Sequence, residues 1–226
     1  MNADVQSPVA DGEGAHVVLI LGAYSDVARE AIKLYVAEGK TVIAASRSVD
    51  KLNEFVKQQS FALNKVLVRY FDATAFEEHK SFYFNLPLKP HTVVYAAGFL
   101  KNNEEAMLNW EGAYQMMKVH YCGAVSILNI IVTDHENQSL KRVVGLSSLS
   151  GVRGRKSNFI YGSTKAAFTQ YLAGLRQYLA PRGITVNILV AGYIRTKMTH
   201  GLDLSQSLML EPAFIARYVV QPGKQF

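Results

Sequence analysis

Six short apolar runs alternate with segments of helical spacing, and that alternation restricts the fold more than any other feature of the chain. The runs His16–Leu21, Thr41–Ala45, Lys65–Phe71, Thr92–Ala96, Arg142–Leu146 and Ile184–Val190 are nearly continuous in apolar residues. A strand of that kind buries both faces, as in a parallel sheet covered by helices. Helical spacing fills the gaps: Asp26–Glu38 (closed by Gly39), Val49–Gln59, a short Phe76–Phe84, a long Ala106–Val132, and Phe159–Leu179, which Pro181-Arg182-Gly183 breaks. Right-handed crossovers between such units give a doubly wound α/β sheet with helices on both faces.

A chain of 226 residues suits one such Rossmann-type domain with a single large core. Residues 15–226 are assigned to it, and the polar, Gly/Ala/Asp-rich Met1–Gly14 reads as a disordered leader without a signal-peptide core. No stretch is read as long and apolar enough to span a bilayer. The single cysteine, Cys122, excludes an internal disulfide framework and a cysteine-based metal site. A reducing, cytoplasmic compartment is the expectation that follows. The net charge of +6 comes from scattered Lys and Arg residues, not from the concentrated stripe that nucleic-acid binding uses.

Chemistry concentrates in one segment. Tyr161 and Lys165 stand four apart at the start of a helical pattern, so their side chains share a face. A free tyrosine ionises at about pH 10. A fixed cation nearby favours the phenolate and tunes the phenol for carbonyl–alcohol interconversion. Ser148 ends an apolar strand thirteen residues earlier, where its hydroxyl could bond the same substrate oxygen. Taken alone, Tyr161 could instead be a core aromatic and Lys165 a surface residue.

With these residues the chain resembles the short-chain dehydrogenase/reductase family from about Val17 to Val220. The resemblance implies that Ser148 polarises a carbonyl, Tyr161 moves the proton, and Lys165 lowers the tyrosine pKa and holds a nicotinamide ribose. It also supplies the cofactor candidates. Leu21-Gly22-Ala23-Tyr24-Ser25-Asp26-Val27-Ala28 stands where the family has Thr-Gly-x-x-x-Gly-Ile-Gly. Gly22 is kept for the turn. Asp26 replaces a glycine at the pyrophosphate, and we expect its side chain to turn inward as the helix N-cap. Amides near Ser25 and Val27 then face phosphate, with Tyr24 in the same turn.

The second strand ends Ala45-Ser46-Arg47-Ser48 without the acidic residue of an NAD site, so Arg47 is expected to pair with the 2′-phosphate of NADP(H). Asp72 matches an aspartate on the adenine edge, or is a plain turn residue. Ala96, Ala97 and Gly98 in Tyr95-Ala96-Ala97-Gly98 stand for Asn-Asn-Ala-Gly beside the adenosine ribose. In Ala191-Gly192-Tyr193-Ile194-Arg195-Thr196, Ile194 and Thr196 match contacts to the nicotinamide carboxamide, with Gly192 supplying a turn.

His120 holds the place of an asparagine that supports the lysine through a water; it either keeps that relay or is a satisfied helix histidine with no catalytic part. The basic loop Arg153-Gly154-Arg155-Lys156 between Ser148 and Tyr161 could meet a phosphate-bearing substrate or form a solvated rim. Its surroundings resemble a keto-sugar reductase branch. The apolar Met198, Leu202, Leu204, Leu208, Met209 and Leu210 resemble a substrate lid, and the chain stops earlier than a usual member, at Phe226. The family also implies a homodimer or homotetramer through the two long helices. The expectation is an NADPH-dependent carbonyl reductase. A 3-oxoacyl thioester reductase and a catalytically silent NADP(H)-binding sensor or scaffold are the alternatives.

Overall fold

A computed structural model describes residues 16–202 and 205–221. The leader assigned to residues 1–14 lies outside the described residues, as does Leu204 of the lid segment. The first half runs β1 (Val17–Leu21), α1 (Asp26–Ala37), β2 (Thr41–Ser46), α2 (Val49–Gln58), β3 (Val66–Tyr70), α3 (His79–Phe84) and β4 (Thr92–Tyr95). The second half runs α4 (Asn103–Leu108), α5 (Trp110–Met117), α6 (Gly123–Thr133), β5 (Arg142–Ser148), α7 (Phe159–Leu179), β6 (Thr185–Ala191) and α8 (Pro212–Val220). The six strands pair in parallel in the order β3-β2-β1-β4-β5-β6. The doubly wound sheet expected from the apolar runs is therefore present.

Period-2 alternation divides the core. Leu19, Leu21, Ile43, Val93, Tyr95 and Val143 face one layer, with Ile127, Leu128, Phe168 and Leu172 of α6 and α7. Val18, Ile20, Val42, Ala44, Val94 and Val144 face the other, with Ala31 and Ile32 of α1, Leu52 and Phe55 of α2, and Ile215 and Val219 of α8. Successive strand residues point to opposite faces, which is why these runs tolerate almost no polar residue.

The long helix expected over Ala106–Val132 is instead three helices. Asn109 is extended (φ −122°, ψ 98°), and its side chain accepts the Glu111 amide at 3.1 Å, which ends α4 and starts α5. Asn102 likewise accepts the Glu104 amide at 2.9 Å and the Glu105 amide at 3.2 Å, so α4 begins earlier than expected. Asparagine competes with the helical backbone and favours caps, a signal that the apolar spacing overrode. Lys118–Cys122 then forms one π-turn between α5 and α6. The span Trp110–Thr133 is long and apolar enough to cross a membrane by length and composition, with a mean hydropathy of 1.3, which corrects the sequence expectation. Here its apolar face packs on the sheet: Ile127, Leu128 and Ile131 are fully buried.

A Cβ on Gly123 would come 2.2 Å from the Ala73 carbonyl oxygen, while nothing lies within 4 Å of one on exposed Gly174 inside α7. Gly123→Ala should therefore lower stability by about 1–3 kcal/mol through backbone displacement. Gly174→Ala should raise it by about 0.5–1 kcal/mol through helix propensity. Urea denaturation of the two variants checks the opposite signs.

Candidate active site

The cleft opens at the carboxyl edge of the sheet, where the strand order reverses between β1 and β4. Open α/β sheets hold ligands at such a switch point. Gly22 leaves β1 at φ +83°, in the region glycine favours, and a Cβ there would stand 2.4 Å from the Ala97 nitrogen. The Gly22 and Ala23 amides both donate to the Ala45 carbonyl at 2.9 Å, and the Ala96 amide donates to Leu21 at 2.8 Å. The turn after β1 is thereby pinned to the ends of β2 and β4. Beside it a cleft of about 240 Å³ is lined by Gly22, Tyr24, Ser25, Arg47, Asp72, Ala96, Ala97 and Gly98. Eight of the expected cofactor residues thus meet in one place.

Asp26 departs from expectation. Ser25 is the N-cap of α1, its hydroxyl accepting the Ala28 amide at 3.2 Å. Asp26 is the first helical residue; its carboxylate pairs with Arg29 and accepts the Lys197 backbone amide at 2.8 Å. A side chain one position inside the helix cannot reach back to the first-turn amides as Ser25 does. Val27 is buried, so only its backbone can face a ligand. Arg47 is exposed, with no carboxylate in ion-pair range among the described residues. One oxygen of Asp72 accepts both the amide and the hydroxyl of Thr74 at 2.8 Å, which makes it a turn-former with its other oxygen uncommitted. His79 was not foreseen as a support behind this wall. Its Nε2–H donates to the Asp72 carbonyl at 3.0 Å and its Nδ1 accepts from Ser126 at 2.9 Å, consistent with burial lowering its pKa. Nothing in the sequence marks that contact, because its two partners lie on separate segments, the loop after β3 and α6.

Ser148, Tyr161 and Lys165 converge at the ends of β5 and α7. Ser150 and Gly151 lie directly on α7: a Cβ on Gly151 would reach 2.7 Å from the Ala166 nitrogen, and one on Gly162 would reach 2.4 Å from the Ser150 oxygen. These two glycines let the Ser148 turn approach the first turns of the helix. Buried Asn103 of α4 accepts the Ile160 amide at 3.1 Å, supplying from another helix the cap that Asn158 does not provide. Burial pushes the Tyr161 phenol above its ordinary value, and its hydrogen bond with Ser148 pulls the other way. Lys165 is buried, donates to the Leu146 carbonyl at 3.0 Å, and is brought down to about 8 by burial. Its ammonium stands 5.9 Å from the Tyr161 ring centre. The phenol is thus raised on balance, and the ammonium expected to lower it is held on a strand carbonyl.

His120 is fully buried in the π-turn. Its Nε2 accepts the Phe99 amide at 3.1 Å, so that nitrogen carries no proton, and its Nδ1–H is left to donate to the Thr164 hydroxyl at 2.7 Å. Thr164 in turn donates to the Tyr161 carbonyl at 2.8 Å, and the imidazole stands edge-on to the Tyr161 ring at 5.3 Å. Burial and the nearby Lys165 charge hold its pKa well below the usual value. Both ring nitrogens are occupied, the arrangement of the satisfied helix histidine rather than of the water relay, the two alternatives the sequence left open. The imidazole instead ties the Gly98–Phe99 wall to α7.

Gly192 is not in the left-handed region, so it does not supply the special turn expected of it; a Cβ there would meet Leu149 at 3.4 Å. The Ile194 carbonyl accepts from the Thr199 hydroxyl, whose own oxygen accepts the Thr196 amide at 3.1 Å. Thr196 lines a larger cavity of about 650 Å³ with Asp26, Arg29, Arg195, Lys197 and Glu211. That cavity lies apart from Ser148, Tyr161 and Lys165. Two opposite-charge pairs, Arg29–Asp26 and Arg195–Glu211, occupy its walls. Ile194 and Thr196 are thus not gathered into the cleft lined by Gly22 and Gly98.

Comparison with known proteins agrees with this fold. The short chain dehydrogenase family pattern matches residues 16–207. An uncharacterized oxidoreductase of Mycobacterium tuberculosis is 28% identical over 196 residues, covering 85% of this chain and 78% of its own. Another from Staphylococcus epidermidis is 26% identical over 204 residues, covering 90% and 89%. An actinorhodin polyketide ketoreductase solved with NADPH superposes with a TM-score of 0.80 at 20% identity, covering 92% and 91%. A short-chain dehydrogenase/reductase of Vibrio parahaemolyticus gives 0.78 at 23%, covering 89% and 90%. The chain belongs to the short-chain dehydrogenase family, whose members are oxidoreductases that use nicotinamide nucleotides.

The buried ammonium has a consequence for stability. Because the folded pKa of Lys165 is depressed from 10.5 to about 8, the unfolded chain binds more protons between those values. The cost of burying the charge is present in full below pH 8 and fades as pH rises to 10.5. Lys165→Met should therefore stabilise the free protein at pH 7 by up to about 3 kcal/mol more than at pH 10.5. Denaturation of both proteins across that range measures the difference.

Proposed function

We propose that the protein is an NADP(H)-dependent reductase interconverting a carbonyl and a secondary alcohol, with Ser148, Tyr161 and Lys165 as its catalytic residues. One observation carries this reading: the half-buried Ser148 and Tyr161 and the buried Lys165 adjoin the nucleotide cleft, a Cβ on the cleft residue Gly98 lying 3.6 Å from Lys165 Nζ.

The residues present fit a nicotinamide nucleotide. Gly22 lets the backbone run close, the first-turn amides of α1 lack partners within the helix, and no carboxylate ends β2. Arg47 at that strand end suits a 2′-phosphate, with Asp72, Ala96 and Ala97 around the adenosine. Such a nucleotide supplies or accepts hydride when bound. Ser148 accepts the Ser150 amide at 3.2 Å and shares a hydrogen bond with Tyr161, so its proton passes to a substrate carbonyl oxygen that enters between the two hydroxyls. Tyr161 delivers the proton to that oxygen, and its raised pKa keeps it protonated until the oxygen needs it. Lys165 supplies the cation that receives the resulting phenolate, in a site dry enough for the attraction to be strong. His120 holds Tyr161 in place.

Arg153, Arg155 and Lys156 are exposed and without a carboxylate in ion-pair range among the described residues, which favours a phosphate-bearing substrate. Exposed Trp110 and Tyr114 of α5 and Tyr178 of α7 suit association of two or more copies. A silent nucleotide-binding protein is the second reading, favoured by Asp26 in the glycine turn and by His120, both of whose ring nitrogens are engaged within the protein.

Titration followed by nicotinamide fluorescence should show NADPH binding at least about tenfold tighter than NADH, with Arg47→Asp removing or reversing the preference. Equal affinities unchanged by Arg47→Asp would refute the cofactor assignment. Tyr161→Phe should keep NADPH affinity within about twofold. It should also lose about 10²–10⁴ in carbonyl turnover. A wild-type protein that binds NADPH but turns over no carbonyl in a broad panel supports the silent reading.

A further inference from the structure

We propose that Lys197 is a diphosphate-binding residue, recruited to the start of α1 by the carboxylate of Asp26; this rests on the nicotinamide-nucleotide reading above. An aspartate at the first position of α1 lies where an anionic ligand meets the helix amides, and an uncompensated carboxylate there repels it. Both of its oxygens are committed away from those amides. One pairs with Arg29, and the other accepts the Lys197 amide at 2.8 Å across 171 residues of chain.

That second bond anchors the backbone of Lys197 beside the start of α1. The Lys197 ammonium lies 5.2 Å from the centre of the Tyr24 ring, and the Arg29 guanidinium lies 5.2 Å from the same centre. Tyr24 is a wall of the nucleotide cleft beside Gly22 and Ser25. The nearby acids are engaged elsewhere, Glu30 with Lys33 and Glu211 with Arg195. Lys197 is exposed and has no carboxylate within 4 Å among the described residues, so its charge is available.

Asp26, Arg29 and Lys197 together carry one net positive charge. The carboxylate that should repel a diphosphate instead holds the segment bearing a cation against the phosphate turn. The ligand is then a nucleoside diphosphate or its dinucleotide, gripped by the α1 amides on one side and an ammonium on the other.

The test is equilibrium binding of the full chain to NADPH, ADP and adenosine, with ADP and adenosine read by displacement of NADPH. Lys197→Gln should weaken NADPH and ADP about tenfold, leave adenosine unchanged, and flatten the salt dependence of ADP binding. Lys197→Arg should restore most of the affinity. In an Asp26→Ala background, Lys197→Gln should cost less than about threefold, because the lysine is no longer held there. ADP affinity within about twofold of wild type in Lys197→Gln, or an equal loss for adenosine, overturns the proposal. A wild-type protein that binds neither NADPH nor NADH overturns the nucleotide reading itself, and this inference with it.

Discussion

The backbone of Gly22 lies against that of Ala97 with no space for a side chain between them, and the rest of the site is arranged around that contact. It exists because β1 pairs with β2 on one side and β4 on the other, so the turns leaving β1 and β4 meet above the sheet. At that contact the cleft is edged by backbone, while Tyr24, Arg47 and Asp72 supply side chains farther out. A ligand with a flat, polar middle can then approach main-chain amides directly. The same crossover places Gly98 at the inner end of the cleft, beside His120 and Lys165.

From there inward the site is governed by the cost of burying charge. Lys165 and His120 are both enclosed, and each is shifted toward its neutral form by burial. The imidazole goes fully neutral and uses both nitrogens for hydrogen bonds. The ammonium rests on the Leu146 carbonyl. Tyr161, between Ser148 and these two groups, is pushed toward its protonated form. A site prepared this way resists ionisation until a partner for the charge arrives, which suits a proton donor that works only with substrate present. Exposed charges at the rim, among them Arg47 and Lys197, cost little to leave free in solvent and remain available to an anion.

Much of this was legible in the chain. The apolar runs marked all six strands because a sheet covered on both faces tolerates few polar residues, and the runs end within one or two positions of the observed strands. Tyr161, Lys165 and Ser148 could be placed together because a helical turn and a strand end are local geometries. The Asn109 break and the π-turn were missed, since apolar spacing alone carries a helix through a single polar residue. Asp26 was given the wrong partner for a related reason. Capping preference is a local rule, and Ser25, one position earlier, satisfies it better, while the actual partner Lys197 is distant in sequence.

Sequence by itself determined the layers, the order of elements and the identity of the reactive groups, because these follow from periodicity and side-chain chemistry. Tertiary structure alone decided the state of those groups. Whether Lys165 faces a phenolate or a carbonyl, which nitrogen of His120 bears the proton, and what lies beside Asp26 depend on atoms brought together from remote segments. Desolvation and hydrogen-bond geometry act only once those segments have closed around the site.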